Sequence, residues 1–262
     1  MTDHPDNFQM SFFEHLTELR KRLIVSVVAV FVGFALCYAF AEDIFRVMML
    51  PMIEVLGPDR KMIFTNPTEA FITYLKVSAL AGFLLTTPVW MSQIWLFISP
   101  GLYRNEKRYL FGFVFFGSFF FIGGALFGYF QIIPYGFKFL IDNFSSDFFQ
   151  AMPTMKDTFG LSTKLLIAFG VAFELPLIIF FLARIGLVSA GWLLKQFRWA
   201  VLVIFILAAI FTPPDVITQI GLGVPMCLLY LIGVLVAWLF GKRRPKPKPG
   251  PQDEAVVPTN KN

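Results

Sequence analysis

Leu23-Ile-Val-Ser-Val-Val-Ala-Val-Phe-Val-Gly-Phe-Ala-Leu-Cys-Tyr-Ala-Phe-Ala41 is the stretch that decides the fold class of this chain. It is apolar for about 19 residues, which at about 1.5 Å per residue is enough helix to cross a hydrocarbon core about 30 Å thick. The rest of the chain is similar: of its 262 residues, 57% are hydrophobic and only 15% are charged. That leaves too little polar surface to coat a soluble globule. The sequence therefore predicts an all-α integral membrane protein.

Five further apolar runs follow the first, so six transmembrane helices are predicted. Pro88 lies inside the second run and Pro176 inside the fourth; each removes a backbone hydrogen bond and predicts a kink. The fifth run has only about 15 residues, or about 22 Å of helix, which is short of the usual hydrocarbon thickness. Within a membrane domain of residues 11–240, the predicted spans cover residues 23–41, 71–98, 109–140, 161–182, 197–211 and 217–240.

Shorter segments flank these spans. The pattern Ser11-x-x-Glu14 is a capping box, which predicts that a helix begins there. The next three turns have amphipathic spacing, which places this beginning at the membrane interface. Residues 42–69 contain Pro51, interpreted as a helix breaker, and predict a short helix on the membrane surface before a new helix starts at Asn66-Pro67-Thr68-Glu69. The polar residues 1–10 precede the membrane domain, and residues 241–262, basic and then proline-rich, are predicted to be disordered.

Cations concentrate at the two ends of the membrane domain and in the loops between spans two and three and between spans four and five, which all lie on one side of the predicted membrane. The loops on the other side are mostly acidic. By the positive-inside rule, both termini are predicted to be cytoplasmic, which agrees with an even number of spans. The formal net charge of +5 is then mostly a topology signal, and nucleic-acid binding is not indicated. The cations are Arg20, Lys21, Arg22, Arg104, Lys107, Arg108, Arg184, Lys195, Arg198 and the basic residues from Lys242 to Lys248.

Glu174 lies well inside the fourth span, two residues before Pro176. A carboxylate at that depth is costly unless it is protonated, paired or hydrated, so such residues usually face a bundle interior or a wet cavity. We interpret Glu174 as a functional residue, with a purely structural hydrogen bond as the alternative.

Two more acids, Glu18 and Glu106, lie among the cations of the predicted cytoplasmic side. Each has a simple structural explanation, since Glu18 can pair with Arg22 four residues later and Glu106 suits a helix start. Such exposed pairs contribute only about 0.3–0.5 kcal/mol, which is little reason to place them there. Taken together on one face, the two carboxylates can form bidentate hydrogen bonds with two arginines of a partner.

The chain shows no catalytic constellation. His4 and His15, its two histidines, lie outside the predicted spans, so a buried Ser-His site or a His-ligated metal is not expected. No phosphate-binding Gly-x-x-x-x-Gly-Lys-Ser/Thr loop is present. Cys37 and Cys227 both fall in apolar runs and are interpreted as packing residues. We expect neither enzymatic activity nor a cofactor.

Four segments at corresponding places together resemble TatC, the multi-span subunit of the twin-arginine protein translocase. The resemblance runs from about Phe8 to Lys242, and four motifs in order make it specific. The segments are His15-Leu-Thr-Glu18-Leu-Arg20-Lys-Arg22-Leu, Phe97-Ile-Ser-Pro100-Gly-Leu-Tyr-Arg-Asn-Glu106-Lys-Arg108, Phe169-Gly-Val-Ala-Phe-Glu174-Leu-Pro176 and Thr212-Pro-Pro-Asp215-Val.

This resemblance implies a kinked, glove-like concave bundle in the bacterial cytoplasmic membrane that exports folded proteins using the proton-motive force. Glu18 and Glu106 would accept the paired arginines of signal peptides, with Arg20 and Phe97 close by. Glu174 would lie in the concave face. Pro51, Pro88, Pro176, Pro213 and Asp215 would hold structural positions. The implied partners are signal peptides of folded cargo, TatA- and TatB-type single-span subunits docking at span five, further copies of the chain, and membrane lipid.

Two other interpretations compete with this one. An ion-coupled small-solute transporter would use Glu174 and the kinked helices as a midplane site. It predicts an internal repeat with matching broken helices in the two halves, and the sequence has none that we recognise. A passive scaffold that only recruits partners is the third possibility.

Overall fold

A computed structural model describes residues 12–57, 62–63, 65–98, 107–144, 152–212 and 216–241. These ranges are helical, apart from short connections and one isolated parallel bridge between Ile63 and Thr154. The helices are α1 (Phe12–Tyr38), α2 (Ala41–Leu56), α3 (Pro67–Leu85), α4 (Thr87–Ile98), α5 (Lys107–Phe127), a π-helical turn (Gly128–Ile132), α6 (Ile133–Phe144), α7 (Met155–Phe173), α8 (Leu175–Arg184), α9 (Ala190–Lys195), α10 (Phe197–Phe211) and α11 (Val216–Phe240).

Among the described residues, five helical segments are long and apolar enough to cross a membrane. The helix α10 is apolar but shorter, with 15 residues. The prediction of an all-α membrane protein is confirmed, and the short fifth span is present as a separate helix. The five long segments are Phe13–Tyr38, Pro67–Leu85, Phe111–Asp142, Met155–Arg184 and Val216–Phe240.

Close helix approach at the centre of the bundle depends on glycine. A Cβ atom added to Gly124 of α5 would lie 2.5 Å from the Phe169 carbonyl oxygen of α7, and one added to Gly33 of α1 would lie 2.7 Å from the Gly82 carbonyl oxygen of α3. Both distances are far below van der Waals contact, so only glycine allows these backbones to meet. Phe169 is fully buried beside Gly124. The small-residue spacing of the third span thus serves helix packing.

Both predicted proline kinks are present. The second span breaks at Thr86, between α3 and α4, and the fourth breaks at Glu174, between α7 and α8. Pro88 cannot donate to the Leu84 carbonyl, and the Thr87 hydroxyl donates to that oxygen instead, at 2.7 Å. At the Pro88 kink, the freed backbone carbonyl thus finds a side-chain partner.

Three expectations need correction or fall outside the structure. Pro51 does not break the chain, because α2 continues through it and ends before Gly57, whose φ of 75° is left-handed. The segment between the fourth and fifth predicted spans, which the apolar runs left without a helix, contains α9. The predictions for residues 1–10 and for the tail after Gly241 lie outside the described residues.

Candidate functional site

One end of the bundle gathers the beginning of α1, the end of α4 and the beginning of α5; we call it the α1/α4 end. His15 of α1 stacks on Phe97 of α4, with ring centroids 4.4 Å apart and an interplanar angle of 17°. Trp95, also on α4, stacks on Phe113 of α5 at 4.7 Å. These aromatic contacts fix α1 against α4, so the Glu18 segment and Phe97 belong to one surface.

Glu18 is half-buried on this surface and is held by Arg22. The Arg22 Nε donates to Glu18 Oε1 at 2.9 Å, and a second guanidinium nitrogen donates to the same oxygen. The other oxygen, Oε2, is buried and accepts no hydrogen bond from any described residue. Because an ionised carboxylate can accept about four hydrogen bonds, Glu18 keeps capacity for another donor.

The remaining predicted binding residues differ in what the structure shows of them. Phe97 is half-buried in the stack with His15. Arg20 is exposed and forms no ion pair with a residue in the described ranges. Glu106 lies among residues 99–106, outside the described part of the chain. The pairing of Glu18 with Glu106 therefore stays a prediction.

Glu174 occupies the break between α7 and α8, and only 7% of its surface is exposed. Its Oε1 is buried and has no hydrogen-bond partner within the described residues. The flanking residues Phe173, Pro176 and Leu177 line an apolar cavity of about 750 Å³ between α5, α8 and α11, but Glu174 is not part of that lining. Its carboxyl group belongs to the bundle interior rather than to this cavity.

Pro51 has a partner that sequence reasoning missed. A proline at position 51 cannot donate to the carbonyl of Val47, four residues earlier. The hydroxyl of Tyr129, in the π-helical turn of the third span, donates to that same carbonyl oxygen. The insertion of a π turn changes the direction of the residues in it. The Pro51 position thus couples α2 to the third span.

Glu69 is a second residue whose role the sequence analysis did not predict. It is buried in the first turn of α3, and its carboxylate accepts the Thr65 N–H at 2.8 Å, the Thr65 hydroxyl at 3.0 Å and the Lys156 N–H at 2.8 Å. It therefore ties the segment before α3 to the start of α7, at the end of the bundle opposite the α1/α4 end. Its place in Asn66-Pro67-Thr68-Glu69 indicated a helix start, but not this distant partner.

The last motif is only partly described. Pro213 and Asp215 lie outside the described residues, while the Thr212 hydroxyl donates to the Ala208 carbonyl at 2.9 Å. In the described ranges, no group of three His, Cys, Asp or Glu side chains is arranged to hold a metal ion.

Comparison with known proteins decides the family. The family model described as Sec-independent protein translocase protein (TatC) matches residues 14–225. The chain belongs to the TatC family. Curated TatC-family relatives include the Sec-independent protein translocase proteins TatC of Desulforapulum autotrophicum, 48% identical over 96% of this chain and 93% of the relative, and of Magnetococcus marinus, 45% identical over 84% and 81%.

A solved TatC-family structure supports the fold as well. The crystal structure of the twin arginine translocase receptor TatC matches with a TM-score of 0.78 and 33% identity, over 86% of this chain and 98% of that one. TatC is a subunit of a protein translocase, so the chain belongs to a transport protein family and not to a family of catalytic enzymes. The small-solute carrier interpretation finds no support in these relatives.

Proposed function

We propose that this protein is the signal-peptide receptor and core subunit of a twin-arginine translocase, exporting folded proteins across a bacterial cytoplasmic membrane at the expense of the proton-motive force. The observation that carries the proposal is the likeness, over nearly the whole of that chain, to a solved twin arginine translocase receptor. The partly occupied carboxylate of Glu18 at the α1/α4 end supports it chemically.

The two arginines of a signal peptide bind to Glu18 and Glu106. A guanidinium fits a carboxylate with two parallel, charge-assisted hydrogen bonds, which gives both strength and geometric selectivity. Of these two residues, only Glu18 lies in the described part of the chain, and its Oε2 can still accept a hydrogen bond. Phe97, held by His15, supplies an apolar surface beside the arginines, and exposed Arg20 lies near the binding surface.

The proposal also covers the orientation of the chain in the membrane and the surfaces that contact its partners. The basic α1/α4 end faces the cytoplasm, and both termini lie on that side. The short α10 exposes apolar side chains such as Val203, Ile206 and Ile210, each more than half exposed. This surface receives the small single-span subunits of the translocase, while further copies of the chain and lipid cover the remaining apolar faces.

Charge reversal tests the receptor role. We expect Glu18→Lys and Glu106→Lys each to reduce cross-linking of a twin-arginine peptide by more than about tenfold, because losing one partner of a desolvated charge pair costs about 2–5 kcal/mol. Glu14→Lys, an exposed position one turn earlier on α1, applies the same charge change and should leave cross-linking near the wild-type level.

The assay also separates the other classes of function. Retained peptide binding in Glu18→Lys and Glu106→Lys contradicts the receptor proposal. Retained binding together with lost solute uptake would favour a carrier, and binding of partner subunits without any binding of the peptide would favour a scaffold.

A further inference from the structure

Three buried polar atoms without partners lie in helices that pack around one aromatic cluster. They are Trp95 Nε1 of α4, Ser118 Oγ of α5 and Glu174 Oε1 at the α7/α8 break. Their residues are only 5%, 7% and 7% exposed, respectively. Three elements thus each bring one unsatisfied polar group into the same part of a membrane-spanning bundle.

The packing around these atoms places them together. A cluster of buried side chains joins Trp95 to Phe121 of α5 and to Leu177 of α8. Ser118 lies one helical turn before Phe121, and Glu174 lies one turn before Leu177, so each polar group shares a helix face with a member of the cluster.

Two closer relations support the same placement. A Cβ atom on Gly117 would lie 3.1 Å from Trp95 Nε1, which puts the indole N–H directly against the residue before Ser118. Phe121, one turn beyond Gly117, lies against α7: a Cβ atom on Gly170 would lie 2.9 Å from its ring, and Gly170 is one turn before Glu174. The α4, α5 and α7/α8 polar groups therefore converge on one stretch of α5.

Two comparable groups, in α4 and α3, are satisfied. Trp90, as buried as Trp95, donates its indole N–H to the Phe83 carbonyl at 3.0 Å. The hydroxyl of fully buried Ser78 donates to the Tyr74 carbonyl at 2.8 Å. An unsatisfied buried polar group costs about 1–3 kcal/mol, and a membrane interior offers it no bulk water. Three such groups in one place indicate a bound polar ligand.

We propose that Trp95, Ser118 and Glu174 form a buried water-binding site that holds at least one ordered water molecule. An indole N–H only donates, a hydroxyl donates and accepts, and a carboxyl oxygen accepts; a water molecule, with two donors and two acceptors, satisfies all three kinds of group. Buried waters typically make about three hydrogen bonds to otherwise unsatisfied groups, which matches the number of partners here.

The site gives Trp95 and Ser118 a positioning role toward Glu174. The water accepts from Trp95 and donates to Glu174 Oε1, so that the carboxyl group is solvated inside the bundle and stays out of the apolar cavity lined by its neighbours. This inference is independent of peptide binding and holds whether or not the proposed receptor function is correct.

Radiolytic hydroxyl-radical labelling of the full-length protein in detergent tests the site, because radicals formed from a bound water oxidise the side chains that contact it. We expect Trp95 to be oxidised several-fold faster than Trp90, although both are buried to a similar degree. Ser118→Ala should lower the Trp95 rate toward that of Trp90. Ser78→Ala, which removes a satisfied hydroxyl, should leave it unchanged.

Equal rates for Trp95 and Trp90 in the wild-type protein would overturn the proposal. A Trp95 rate that stays the same in Ser118→Ala, or that falls equally in Ser78→Ala, would also contradict it. Monodisperse elution of each variant confirms folding before labelling, and the conservative Ser→Ala changes keep that condition easy to meet.

Discussion

Glu69 accepts three hydrogen bonds through its two carboxylate oxygens. The Thr65 amide and hydroxyl share one oxygen, and the Lys156 amide approaches the other. The parallel bridge between Ile63 and Thr154 lies beside these bonds. A single side chain thus fastens the segment before α3 to the N-terminus of α7.

We expect Glu69→Gln to lower the thermal unfolding midpoint in detergent by several degrees. Glutamine keeps the shape but offers one acceptor oxygen, and its NH₂ group then faces a backbone N–H, so at least one donor loses its partner. Scanning fluorimetry measures the midpoint. The matched control is Glu54→Gln, at an exposed position of α2; an equal shift in both variants would show that only charge matters.

At the scale of elements, the π-helical turn supplies the hydrogen-bond donor that Pro51 lacks. The Val47 carbonyl is free because residue 51 has no N–H, and Tyr129 reaches it from the third span. We expect Tyr129→Phe to destabilise the protein by about 0.5–1.5 kcal/mol, the net contribution of a typical hydrogen bond, since the Val47 carbonyl then lacks its donor. Pro51→Ala restores a local N–H donor to the same oxygen, so it should make Tyr129→Phe less harmful.

A double-mutant cycle measures this dependence. The coupling between Pro51→Ala and Tyr129→Phe should be about 0.5–1.5 kcal/mol, as for residues that share one hydrogen-bond partner. Additive effects on the unfolding midpoint would contradict a shared carbonyl. Tyr135→Phe, at an exposed position of α6, serves as the control for removing a tyrosine hydroxyl from the same span.

The elements that could be predicted are those that depend on near neighbours in the chain. Apolar runs of sufficient length predicted the spanning helices, and Pro88 and Pro176 predicted the two breaks, because a missing N–H acts only four residues back. The short α10 followed from the length of its apolar run alone. The Glu18–Arg22 pair likewise needs only helical spacing.

The contacts that escaped prediction join residues far apart in the chain. Tyr129 and Val47 are 82 positions apart, and Glu69 and Lys156 are 87 apart. Hydropathy carries no information on such pairs, so Pro51 was wrongly interpreted as a breaker: the donor that lets α2 tolerate its proline comes from another span. Glu174 was singled out by its depth in the span, but its proposed relation to Trp95 and Ser118 depends on how three elements pack.

For the whole molecule, α10 is short relative to the membrane that it is predicted to cross. Its 15 residues give about 22 Å of helix against a hydrocarbon core of about 30 Å. The bilayer beside α10 must thin, or polar flanks must extend to the interface, at a cost of fractions of a kcal/mol per Å. We propose that this thin region, next to the span that carries Glu174, lowers the barrier to passage of a folded cargo.

Lengthening α10 tests that hypothesis. Inserting four apolar residues after Val203 adds about 6 Å and rotates the following residues by only about 40°, so the exposed faces of α10 stay nearly in place. We expect transport of a folded twin-arginine cargo into membrane vesicles to fall strongly while peptide cross-linking at the α1/α4 end stays intact, because that end is built from α1 and α4. The same four residues inserted after Gly250 are the control. Unchanged transport in the lengthened variant would show that the thickness of the membrane beside α10 plays no part in passage.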